Sequence, residues 1–148
     1  MTAWPSLVLA LAAGAVLPLQ AGINAELARW IGGAPRAAFV SFLVGALALV
    51  LVSLAATRGL LASDRVGAAP WWVWVGGLLG AFYVLGAIVA APRVGAVVLV
   101  AAVVAGQALA SLVLDHFGWA GFTPHAISPG RVVGMVLVGV GVALVRVF

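Results

Sequence analysis

Five apolar runs, each close to the length of a bilayer crossing, constrain this chain more than any other feature. They span about 4–30, 36–56, 71–91, 95–116 and 130–147, and the charged residues fall between them or at their ends. A membrane-spanning helix needs about 20 mainly apolar residues, so five spans are expected. A soluble globule of 148 residues could not hide such surface, because 66% of the chain is hydrophobic and 7% is charged. Lipid must solvate most of it. The expected class is an all-α polytopic membrane protein, one transmembrane domain over 1–148, paired as an antiparallel dimer.

The punctuation between runs fits this reading. Gly32-Gly33-Ala34-Pro35 reads as a turn, and the second run ends before Arg58-Gly59. The loop with Ser63, Asp64, Arg65, Gly67 and Pro70 reads as solvated. Trp71, Trp72 and Trp74 open the third run and suit the headgroup layer. Pro92-Arg93 is expected to separate the third helix from the fourth, and Phe117 to Pro129 to form an irregular loop at the membrane surface. No Lys or Arg precedes the first run, so it reads as a retained helix and not as a cleaved secretory signal.

Polar chemistry concentrates in Leu17 to Glu26. Gln20 and Asn24 are four apart and share a helix face, while Gly14, Pro18 and Gly22 repeat at the same spacing on a neighbouring face. Pro18 removes a backbone hydrogen bond and is expected to kink the helix. An unpaired amide in hydrocarbon is costly, so Gln20 and Asn24 either line a cavity or hydrogen-bond to a neighbouring helix.

Gln107 lies about 21 Å along its helix after Arg93, a little past mid-depth. In an antiparallel dimer two copies of Gln107 would approach the two-fold axis, as a polar site or as an interface clasp. Tyr83 and Ser111 could add hydroxyls, Tyr83 equally serving as packing. Glu26 is read as an interfacial partner of Arg29 or as a gate or proton site. Small residues at Gly76-x-x-x-Gly80, Gly77-x-x-x-Ala81 and Gly130-x-x-x-Gly134 allow close helix approach in lipid.

Other chemistry is unsupported. Without Cys there is no disulfide or thiolate site. Asp115-His116 has one further His, His125, and reads as a solvated helix end, not as a metal site. No phosphate cradle, nucleophile with its base, or basic patch with interleaved aromatics exists, so neither catalysis, a cofactor, a metal nor nucleic-acid binding is expected. The seven basic residues, all Arg, divide three against four between the two sides of a five-span topology. The positive-inside rule then gives almost no orientation, which admits copies inserted both ways and an inverted pair resembling the repeats of larger carriers.

Several stretches together resemble the YdcZ family of the drug/metabolite transporter superfamily. They are Gln20-Ala21-Gly22-Ile23-Asn24-Ala25-Glu26-Leu27, Gly76-Gly77-Leu78-Leu79-Gly80-Ala81-Phe82-Tyr83, Pro92-Arg93-Val94-Gly95-Ala96, Gly106-Gln107 and Asp115-His116-Phe117-Gly118. The resemblance covers nearly the whole chain. It implies a bacterial inner-membrane protein of about five helices, half the size of ten-helix carriers, that transports by export as a dimer; it supplies no substrate. A more distant resemblance is to small multidrug resistance proteins, whose first helix holds an essential Glu at mid-depth. Glu26 departs from that pattern, because it lies about 33 Å from Trp4 along a helix, near the far interface.

The function expected is therefore a half-size transporter of a small organic solute, working as a homodimer or with a paired homologue by alternating access. A non-transporting accessory or structural subunit is the alternative.

Overall fold

The computed structural model describes residues 4–57 and 66–148. Among the described residues there is no strand, and five helices are long and apolar enough to cross a membrane. They are α1 (Trp4–Ile31), α2 (Ala34–Thr57), α3 (Gly76–Val94), α4 (Ala96–Phe117) and α5 (Pro129–Val147). Trp71–Val75 forms a 3₁₀ segment that leads into α3 and completes the third span. Its indoles are exposed, as suits an aromatic belt. Most large apolar side chains on all five helices are likewise exposed, which only lipid or another chain can satisfy. Of the loop read as solvated, residues 58–65, including Arg58, Ser63, Asp64 and Arg65, lie outside the described residues; Val66–Ala68 forms one 3₁₀ turn.

The helices fall into two compact units, Met1–Arg93 and Val94–Phe148. In the first, α1 ends because Gly32 and Gly33 take φ values of 82° and 126°, which other residues adopt at a cost. Both glycine amides donate to the Ala28 carbonyl, satisfying the end of α1, and α2 restarts at once. This tight connection lays α2 beside α1. Ala37 and Ala38 of α2 are buried against Val84 and Ile88 of α3, with Leu27, Ala28 and Ile31 of α1 around them. In lipid such contacts are held by dispersion and shape, so small side chains at the meeting point set how closely the helices approach.

That meeting point is built from alanines. Gly80 is the one expected packing glycine with a side chain over it, the Phe42 ring at 3.7 Å. Above Gly14, Gly22, Gly76, Gly130 and Gly134 no described residue outside the local helix comes within 4 Å of where a Cβ would sit. Pro18 sits inside α1, which continues through it; its missing N–H frees the Gly14 carbonyl.

One expected boundary is corrected. Pro92 does not separate the third and fourth helices but lies within α3. A proline in the last turn forfeits a single hydrogen bond, and Arg93 Nη1 donates to the Val89 carbonyl at 2.9 Å close by. The break falls at Gly95, whose φ of 78° ends helical geometry and whose carbonyl accepts from Leu99 to start α4.

In the second unit α5 packs on α4. Ser128 caps α5 by accepting from the Arg131 amide at 3.4 Å, and Pro129 occupies its first turn. The exposed connection is irregular, with Phe117 stacked on Trp119 at 5.0 Å and the His125 amide bonded to the Asp115 carbonyl.

Candidate functional site

The helical periodicity of α1 puts Leu17, Gln20, Ala21 and Asn24 on one stripe, and α3 faces it with Tyr83, Val84 and Ala87. Together they line a cleft with about 180 Å³ of empty space. Three of the expected site residues, Gln20, Asn24 and Tyr83, are thus brought to one place although Asn24 and Tyr83 are 59 residues apart along the chain. In this conformation the cleft has no room for a water molecule.

Asn24 is the most informative member. It is 4% exposed and the one buried polar residue among those described. Among the described residues no hydrogen bond is made to its amide, nor to the Gln20 amide or the Tyr83 hydroxyl. No fully buried side-chain nitrogen or oxygen lacks a partner among the described residues, so the polar atoms of Asn24 keep a small exposure and are open to a ligand that brings its own donor and acceptor. All three groups are neutral, and each can both donate and accept.

Glu26 lies outside this lining. It is exposed at the end of α1, ion-paired with Arg29, and accepts from Trp30 Nε1 at 3.0 Å. An exposed pair of this kind contributes little to stability, and it ties the carboxylate to the interface. Gln107 belongs to the second unit, exposed on α4 and outside the lining of that unit's own cleft.

That second cleft was not anticipated. Ser111 and Asp115 of α4 and Arg131, Gly134 and Met135 of α5 border about 830 Å³ of open space. Arg131 Nη1 donates to Asp115 Oδ2 at 3.2 Å, with both side chains about one-third exposed. Asp115 is therefore an inter-helix tie as well as a helix end. The available signal was one acid closing α4 and one base opening α5 across a short connection, which places them side by side in a helical hairpin.

Five apolar spans define a polytopic α-helical membrane protein, and its first unit holds a neutral polar cleft. The chain belongs to the YdcZ family: residues 6–144 match the family described as "Putative inner membrane exporter, YdcZ". It is accordingly a multi-pass protein of the bacterial inner membrane, from a family of membrane transporters. Over 82 residues it is 37% identical to "Inner membrane protein YdcZ" of Escherichia coli (strain K12), a stretch covering 55% of this chain and 54% of that protein. The match thus spans about half of the relative's length. No solved structure matches the chain.

Proposed function

We propose that the chain is a half-size transporter that exports a small, uncharged, hydrogen-bonding organic solute through the cleft of Gln20, Asn24 and Tyr83. The observation that carries this reading is Asn24, a residue buried between the helices whose amide makes no hydrogen bond among the described residues and lines a cleft with no charged side chain in its lining. A charged solute entering it would lose its hydration with no counter-charge to replace it, whereas a neutral donor and acceptor would satisfy the amides. The narrow cleft must open toward one side at a time, which is alternating access.

The working unit in this reading is a dimer, a second copy or a paired homologue, with each chain acting as one transmembrane domain. The uncovered glycine faces at Gly14, Gly22, Gly76, Gly130 and Gly134 support it, because small residues admit a close second backbone. So does the even division of arginines, which leaves both orientations open. Single Cys residues at 2 and at 148, labelled from each side of native membranes, are expected to react from both sides. Labelling from one side at each position rules out the antiparallel homodimer.

An accessory subunit is the rival, favoured by the narrowness of the cleft. Gln20→Cys separates the two readings, conveniently in a chain with no native Cys. A carrier opens, so a small membrane-impermeant thiol reagent reacts at position 20; a packed structural subunit leaves that thiol unreactive.

A further inference from the structure

A second groove of the first unit runs along the same two helices toward the interface, and its chemistry differs. Its floor is Ala25 and Ala28 of α1 with Ile88 and Val89 of α3, and it is flanked by Arg29 and Arg93. About 590 Å³ of open space lies between them.

The charges around it are unbalanced. Arg93 donates one hydrogen bond, to the Val89 carbonyl at 2.9 Å, and among the described residues no carboxylate pairs with it. A guanidinium has five N–H donors, so most of its fork is free. Arg29 is paired with Glu26, but both side chains are at least half exposed, a pairing of little energy that an incoming anion can share. Glu26 is the single carboxylate among the described residues of this unit, against Arg29, Arg36 and Arg93.

We propose that this groove binds an anionic phospholipid, its phosphate held by Arg93 and Arg29 and the start of its acyl chains lying on the alanine, isoleucine and valine floor. Guanidinium forks match phosphate oxygens in geometry, and basic pockets between membrane helices favour anionic headgroups. The apolar floor argues for lipid over free phosphate, which has nothing to place there. The groove lies at the ends of α1 and α3, where those helices carry their terminal arginines at headgroup depth. This site is independent of the solute cleft, and its occupancy does not depend on transport.

The test is native mass spectrometry of the full chain in detergent, titrated with palmitoyl-oleoyl phosphatidylglycerol or phosphatidylcholine, with and without inorganic phosphate. Wild type is expected to retain phosphatidylglycerol in preference to phosphatidylcholine. Arg93→Gln should weaken that retention about tenfold, the effect of losing a charge-assisted contact. Arg29→Gln, which leaves the end of α3 untouched, should act in the same direction but less, and Arg93→Lys should keep part of the affinity. Arg146→Gln is the control for bulk charge and should behave as wild type. Unchanged retention in both Gln variants, an equal loss in Arg146→Gln, or no preference for phosphatidylglycerol overturns the proposal. Displacement of the lipid by equimolar inorganic phosphate assigns the arginines to a free anion and overturns it as well.

Discussion

Asn24→Leu is expected to slow solute movement in proteoliposomes at least about tenfold, by leaving a polar group of the bound solute unsatisfied. The substitution keeps roughly the bulk of the site and removes the amide of the one buried polar residue in the first unit's cleft. In this conformation the amide bonds to nothing in the described chain, so its loss costs the fold little. Insertion and thermal stability should therefore stay at wild-type levels or rise, and this separation identifies a residue that serves a ligand. Gln20→Ala should have the smaller effect, because Gln20 is half-buried and water can replace it. Wild-type rates in a normally assembled Asn24→Leu protein would remove the cleft from the mechanism.

The second large effect is structural. Ala37 is fully buried where α1, α2 and α3 meet. Ala37→Leu inserts three further carbons into a contact made by alanines, and the neighbours available to yield are Val84 and Ile88. Overpacking of this kind costs about 1–3 kcal/mol, and here it forces helices apart in a medium where packing is the main source of association. The melting temperature of the detergent-solubilised protein should fall, and solute movement with it, since Tyr83 and Val84 line the cleft from the same helix. The same substitution at Ala46, exposed on α2, should do neither. Equal stability of the two variants would place the organising contact elsewhere.

The two effects also show what a single sequence makes legible. Five spans could be read because the bilayer imposes a length and a composition, and each run meets both. The Gln20–Asn24 face was readable because helical periodicity is fixed once a span is assigned. Placing Tyr83 beside them needed the tertiary arrangement, since its hydroxyl fits packing or a site equally well. The glycine spacings drew attention to Gly76, Gly130 and Gly134, yet close approach within the first unit is made by Ala28, Ala37 and Ala38. Alanine is too common in an apolar chain to stand out, although its methyl is small enough for the purpose. Pro92 reads as a break from sequence because proline ends most helices, but the last turn tolerates it and the positive φ of Gly95 makes the break. The Asp115–Arg131 tie was hidden because charges near helix ends are ordinarily solvated, and only the α4–α5 hairpin brings these two within 3.2 Å.

The central claim is that an uncharged solute passes through a neutral amide cleft. Its most direct test is efflux from proteoliposomes loaded with matched pairs of small solutes, equal in size and differing only in charge, with wild-type protein and Asn24→Leu side by side. The account predicts that the neutral member of a pair leaves through the wild type, that its charged counterpart stays, and that Asn24→Leu slows the neutral one. Equal efflux of charged and neutral members, or an Asn24→Leu rate equal to wild type, would contradict it.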